Sequence, residues 1–176
     1  MEKGLIHLYH GDGKGKTTAA VGLCIRAAGN KKRVLFVQFM KDNSSGEITV
    51  LEKIPGIKIM HGNIPKGFYS KMADEEKKIF ALEQEKLLEQ VVEEIGSMKD
   101  GGLVVLDEIT YAYSWKLILR EKLEDLLVNK PEGIELVMTG RNPERLLVKS
   151  ADYVTEMKCE KHPFEKGIRA RRGIEF

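Results

Sequence analysis

Two hydrophobic patterns alternate along the chain. The first is a short, unbroken apolar run. It occurs at Leu5 to Tyr9, Val34-Leu35-Phe36-Val37-Gln38-Phe39, Leu103-Val104-Val105-Leu106 and Leu136-Val137-Met138. Such runs predict strands covered on both faces, as in a parallel sheet. Ile57-Lys58-Ile59-Met60 and Tyr153-Val154-Thr155 are shorter, more mixed strand candidates. The second pattern repeats at three and four residues. Between Asp74 and Met98 it places Phe80, Leu87, Leu88, Val91, Val92, Ile95 and Met98 on one face, with charges on the other. Further helices are predicted at Thr17 to Ala28, ending on Gly29-Asn30, at about Tyr113 to Val128, and at about Glu144 to Ser150. Strand and helix in alternation predict an α/β fold with a mostly parallel central sheet flanked by helices.

The stretch from Lys41 to Ser70 breaks the rhythm. It carries Asn43-Ser44-Ser45-Gly46, Pro55-Gly56, Gly62-Asn63, Pro65 and Gly67, so it reads as loop around one short strand. Loops beside strand ends are where a substrate is gripped.

The chain has 176 residues, 42% hydrophobic and 32% charged, the balance of a globular protein. That length predicts a single domain over residues 1–176. A net charge of +2 gives no global pull toward nucleic acid. Two cysteines, Cys24 and Cys159, cannot make a disulfide framework, and four histidines lack zinc-ligand spacing. There is no apolar run long enough for a membrane helix and no signal-like N-terminal segment, which predicts a cytoplasmic location and no membrane partner.

The most informative motif is Gly11-Asp12-Gly13-Lys14-Gly15-Lys16-Thr17-Thr18, lying between a predicted strand and a predicted helix. This is the setting of a phosphate-binding loop. Glycines let successive backbone N–H groups turn toward one anion, and the helix N-terminus adds partial positive charge. Lys16 can reach the phosphates, and the Thr17 hydroxyl can meet Mg²⁺. His10 stands where the strict pattern has its first glycine, so the loop is a variant. The Leu103 strand ends in Asp107-Glu108, acids placed to hold Mg²⁺ directly or through water, or alternatively to cap a helix. Thr139-Gly140-Arg141 follows the Leu136 strand, so Arg141 either faces phosphate or sits in a surface turn. His162, in Lys161-His162-Pro163-Phe164, reads by itself as a structural or surface residue. Tyr111, Tyr113 and Trp115 either line a planar ligand or pack in the core. From Lys158 to Arg172 there are six Lys/Arg against two Asp/Glu, an anion-attracting run or a solvated tail without a stacking pattern for nucleic acid.

Taken together, these motifs resemble the ATP:co(I)rrinoid adenosyltransferases of the CobA/BtuR/CobO type. The carrying residues are Gly11 to Ala20, Val37-Gln38-Phe39 and Val104-Val105-Leu106-Asp107-Glu108. To these the C-terminal part adds Thr139-Gly140-Arg141, Ala151-Asp152, Val154 to Lys158, Lys161-His162-Pro163-Phe164, Gly167-Ile168 and Gly173-Ile174-Glu175-Phe176. The resemblance implies a RecA-like P-loop fold, usually a homodimer, served by a flavoprotein reductant. It implies transfer of the 5′-deoxyadenosyl group of ATP to the Co(I) of a reduced corrinoid, with release of triphosphate. Residues Gly11 to Thr18 would hold the triphosphate, and Thr17, Asp107 and Glu108 the Mg²⁺. Lys16, Arg141 and His162 would lie at the reacting nucleotide and corrin. The family's Gly-Phe-Thr-Trp-type segment, whose aromatics help displace the lower cobalt ligand, reads Gly67-Phe68-Tyr69-Ser70 here. Phe68 matches, Ser70 stands where Trp is expected, and Tyr69 is the candidate replacement. Longer relatives carry an N-terminal helical extension over the site, which this sequence does not show.

Two other classes fit parts of the pattern. A small P-loop kinase or ATPase would transfer the γ-phosphate and form ADP without a corrinoid. A noncatalytic carrier would bind nucleotide or corrinoid without turnover.

Overall fold

Among the described residues six parallel strands form one sheet in the order β3-β2-β4-β5-β1-β6, and the burial of each strand follows its place in that order. The computed structural model describes residues 3–41, 45–63 and 69–174. The central strands β2 (Val34–Gln38), β4 (Gly102–Asp107) and β5 (Ile134–Thr139) are the continuous apolar runs and are almost wholly buried. β1 (Ile6–His10) lies one strand in from the edge and alternates, with Ile6 and Leu8 buried. The edge strands β3 (Ile57–His61) and β6 (Tyr153–Glu156) are half-buried and exposed, respectively.

Helices cover both faces. Alternate residues of a strand point to opposite sides, so Val34, Phe36, Leu103, Val105 and Val137 pack under Ala20, Cys24 and Ala27 of α1 (Lys16–Gly29). Their neighbours Leu35, Val37, Val104, Leu106, Leu136 and Met138 face α3 (Asp74–Ser97) and the helices after it. The contact face of α3 is the expected one, Phe80, Leu87, Leu88, Val91 and Ile95, with Gln84 buried in the same stripe. Val92 falls at its margin, 39% exposed.

Two expectations need correction. The helix expected over residues 113–128 is two: α4 (Ile109–Ser114) and α5 (Arg120–Asn129). Lys116 takes a left-handed backbone (φ 54°), and the Leu117 N–H reaches back to the Ala112 carbonyl. That closure breaks the helix while burying Leu117 and Ile118, which their spacing alone had made helical. The loop expected over residues 41–70 holds, besides β3, a short helix α2 (Ile48–Leu51) and a 3₁₀ turn at Tyr69–Lys71. α2 exists because Ile48 and Leu51 bury against the α1 side of the sheet. The last helix, α6 (Arg145–Ser150), lies where expected, and a 3₁₀ turn follows at Pro163–Lys166. No helix among the described residues is long and apolar enough to cross a membrane.

Candidate active site

Most of the buried polar residues, Lys16, Gln38, Asp107, Thr110 and Thr139, lie at or just beyond the carboxyl ends of the parallel strands. β1 runs into the glycine-rich loop 11–15, which opens α1. Gly15, at φ 113°, is the N-cap, and no acidic residue stands in the first turn to oppose an anion. Lys16 is 7% exposed, and its ammonium donates to the carbonyls of Gly11 and Gly13, 2.8 Å each. Burial lowers its pKa, and the positive charge of Arg141 acts in the same direction.

The loop is fastened on its outer side to the chain leaving β6. The Gly13 N–H donates to the Met157 carbonyl at 2.7 Å, and the Cys159 N–H donates to Asp12 Oδ1 at 3.0 Å. That hydrogen bond is the main cause holding the Asp12 carboxyl below its usual range. A Cβ on Gly11 or Gly13 would meet the Met157 carbonyl oxygen at 2.4 or 2.6 Å. These glycines therefore serve close packing of two backbones as well as the loop's own turn.

Asp107, fully buried at the end of β4, is the hub of the site. Its Oδ1 accepts from the hydroxyls of Thr17 (2.8 Å) and Thr139 (2.7 Å), and its Oδ2 from Lys41 (3.0 Å). The Thr139 hydroxyl in turn accepts the Glu108 N–H at 2.9 Å. Glu108 has a left-handed backbone (φ 60°), which turns the chain from β4 into α4. Burial raises the Glu108 pKa, and the neighbouring Asp107 adds to the rise. Its Oε2 is buried with no hydrogen-bond partner among the described residues, and its Oε1 lies 3.9 Å from the Lys41 ammonium.

These are hard oxygen donors, one carboxylate oxygen unpaired and buried, which is the chemistry a Mg²⁺ ion takes. Among the described residues no three His, Cys, Asp or Glu side chains cluster as a metal cage. Two carboxylates and a hydroxyl suit an ion that completes its shell with waters and phosphate oxygens.

Arg141 is exposed beyond β5, yet its charge is felt at Lys16, Asp12 and Glu108. Gly140 (φ 146°) makes the turn that puts it there, since a Cβ would lie 1.9 Å from the Thr110 hydroxyl, which bonds the Arg141 carbonyl. Lys14 and Thr18 are exposed on the loop and first turn. His162 is exposed, and its Nδ1 accepts from the Phe164 N–H, capping the 3₁₀ turn rather than touching the loop. Phe68 lies outside the described residues. Tyr69 stacks on Trp115 with ring centres 5.3 Å apart, and Tyr111 lies 5.0 Å from Trp115. Tyr113 is core, whereas Trp115 is 46% exposed.

Three contributors were not legible in the sequence. Lys41 follows β2 as Asp107 ends β4, so its place at a strand end was the available signal. Thr139 stood in the Thr139-Gly140-Arg141 motif, but its bonding role was not readable there, because its two hydroxyl partners lie 31 and 32 residues away. The third is the placement of Gly173-Ile174, visible in the sequence as a motif but not as a neighbour of the first turn of α1. Gly173 and Ile174 line a cavity of about 600 Å³ together with Thr17, Thr18, Val21, Lys41 and Glu47.

The family model described as ATP:corrinoid adenosyltransferase BtuR/CobO/CobP matches residues 2–176. A corrinoid adenosyltransferase of Sinorhizobium sp is 37% identical over 179 residues, covering 99% of this chain and 81% of the relative. Those of Pseudomonas aeruginosa and Escherichia coli K12 are each 32% identical over 176 residues, covering 99% of this chain and 85% and 87% of the relatives.

Proposed function

Since this chain belongs to the ATP:corrinoid adenosyltransferase family BtuR/CobO/CobP, we propose that it moves the 5′-deoxyadenosyl group of ATP onto the Co(I) of a reduced corrinoid, releasing triphosphate. It is a transferase with ATP and a corrinoid as substrates, and the γ-phosphate-transferring kinase reading is not favoured. The observation that carries the assignment of residues is the convergence of the glycine loop, Lys16, Thr17 and the Asp107–Glu108 pair on one end of the sheet.

The reaction forms a cobalt–carbon bond at the ribose C5′ as the C5′–oxygen bond to the triphosphate breaks. The Co(I) electron pair needs no deprotonation, so no general base is required. The protein's work is to orient C5′ and to stabilise a leaving group of high negative charge. Backbone N–H groups of the loop and the first turn of α1, apart from that of Gly13, which the Met157 carbonyl holds, meet the phosphates together with the Lys16 ammonium. Arg141 supplies a further charge from the turn after β5. Thr17, Asp107 and Glu108 hold Mg²⁺, which neutralises phosphate charge when bound. Phe68 and Tyr69, with Trp115 stacked behind Tyr69, meet the corrin side. His162, exposed at the cap of the 3₁₀ turn, is assigned to the nucleotide or corrin by the family resemblance alone. Residues 1–176 act as one nucleotide-binding domain in a cytoplasmic homodimer, with electrons from a flavoprotein reductant.

The test combines protein, ATP, Mg²⁺ and chemically reduced cobalamin. Light-sensitive adenosylcobalamin plus triphosphate is expected; ADP and phosphate without corrinoid product would overturn the reading. Lys16→Ala should lower kcat/KM for ATP at least about a hundredfold, the scale of losing one preorganised charge at a leaving group. A wild-type rate in that variant would remove Lys16 from the mechanism.

A further inference from the structure

The Lys41 ammonium sits on the carboxylate pair that the reading above assigns to the divalent cation. It donates to Asp107 Oδ2 at 3.0 Å and lies 3.9 Å from Glu108 Oε1. Its position is built from the backbone up. The Phe39 N–H bonds the Asp107 carbonyl at 3.0 Å, tying the chain leaving β2 to the end of β4. The next residue, Met40, is held in a left-handed conformation at φ 63°, unfavourable for a side chain of its kind. What holds it is Gln84, the fully buried amide in the apolar stripe of α3, whose Oε1 accepts the Met40 N–H at 2.9 Å. A polar side chain sunk in the helix face thus grips the turn that sends Lys41 back over Asp107. The side chain is largely sheltered, 32% exposed. Asp107 meets no solvent, so its charge needs a positive partner at all times.

We propose that Lys41 is an internal stand-in for the divalent cation: it neutralises and aligns Asp107 and Glu108 until nucleotide brings the ion, and it keeps the bare ion from loading first. One ammonium and one divalent ion cannot share Asp107 Oδ2 in a low-dielectric pocket. Bare cation must therefore displace Lys41 unaided. Cation arriving with the nucleotide offers the displaced ammonium new partners, the phosphate oxygens, because Lys41 lines the same cavity as Thr17 and Thr18. Lys41 is a positioning residue in the free protein, and the consequence is an order of binding, with metal and nucleotide entering together.

This inference rests on the cation being held by Asp107 and Glu108, and the experiment separates the two. Mn²⁺ is titrated into nucleotide-free protein and free Mn²⁺ is read by its electron paramagnetic resonance signal. Wild type should bind weakly, Lys41→Met at least about tenfold more tightly because a full opposing charge has gone, and Lys41→Arg no more tightly than wild type. Equal or weaker binding by folded Lys41→Met, or none in either protein, overturns the proposal. Two further outcomes divide the blame. If the gain persists in Lys41→Met/Asp107→Asn, the ion sits elsewhere and the carboxylate reading falls too. If Asp107→Asn abolishes the dependence of ATP binding on cation while Lys41→Met leaves Mn²⁺ affinity unchanged, that reading stands and only the role of Lys41 falls. Should Lys41→Met fail to fold, the wild type decides by nitrogen-15 NMR of its lysine ammonium groups. The Lys41 signal should stay put with ATP alone and shift when ATP and Mg²⁺ are added together; an unmoved signal with both bound overturns the proposal.

Discussion

Glu108 is held at some cost. Burial pushes its carboxyl above the ordinary range and Asp107 pushes the same way, against the pull of Lys41, Lys16 and Arg141. A carboxyl that keeps its proton better in the folded chain loses stability as pH rises from its unfolded pKa through its folded one, and the full cost is present above both. Glu108→Gln removes that cost. Its Tm, read by circular dichroism without nucleotide, should exceed the wild-type value at neutral pH, and the gain should vanish at about pH 4, where the unfolded carboxyl is also protonated. Adenosyl transfer should fall in the same variant. A lower Tm at neutral pH would mean that the pairing with Lys41 outweighs desolvation. Thr139 works in the opposite sense, since one hydroxyl serves both Asp107 and the Glu108 N–H. Thr139→Val leaves both partners short of a hydrogen bond in a buried site. It should cost about 1–3 kcal/mol in denaturant unfolding; a neutral effect would mean that the site rearranges around the loss.

At the scale of elements, the glycine-rich loop depends on a strand far away in sequence. β6 is the exposed edge of the sheet, yet the residues after it hold the loop through Met157 and Cys159. Gly13→Ala would drive a Cβ to within 2.6 Å of the Met157 carbonyl and 2.8 Å of Lys158 backbone atoms. Neither neighbour is a flexible side-chain end, so the strand tail must move. The expected cost is about 1–3 kcal/mol, as for other overpacking changes. Faster hydrogen exchange at the residue-13 amide than in wild type and weaker ATP binding are the readouts, and unchanged exchange would contradict the packing role. The break between α4 and α5 shows the same dependence on distant contacts. Apolar spacing continues through residues 115–119, but burial of Leu117 and Ile118 is achieved by a left-handed turn and not by another helical turn.

Across the whole molecule, two apolar layers lie on opposite faces of the sheet, and the site occupies only its carboxyl end. Stability and ligand binding can therefore be separated by substitution. Leu88, fully buried on α3, packs with Leu35, Val104 and Leu136 on the face away from α1. Leu88→Ala should lose about 2–5 kcal/mol of unfolding free energy, transfer and cavity terms together. ATP affinity by calorimetry should stay near wild type, and ATP with Mg²⁺ at a hundred times its Kd should restore about 2.7 kcal/mol by linkage. A large drop in affinity would show that the layers are coupled to the loop more tightly than their separation implies.

The parts of this protein written locally could be seen before any fold was known. Unbroken apolar runs marked β2, β4 and β5, the three-and-four spacing marked α3, and the glycines from Gly11 to Gly15 marked the turn between β1 and α1. Each of those signals lies within a few residues of itself, because strand pairing and helix turns repeat over short distances. What holds the site in shape is not local. Thr17 is 90 residues from Asp107, Lys41 is 66 from it, and Cys159 is 147 from Asp12. Only the order β3-β2-β4-β5-β1-β6 brings those strand ends to one edge, and only there does a lysine after β2 become the counter-ion of a buried aspartate. A charge partner is chosen by distance in space and by exclusion of water, and neither quantity exists until the sheet has formed.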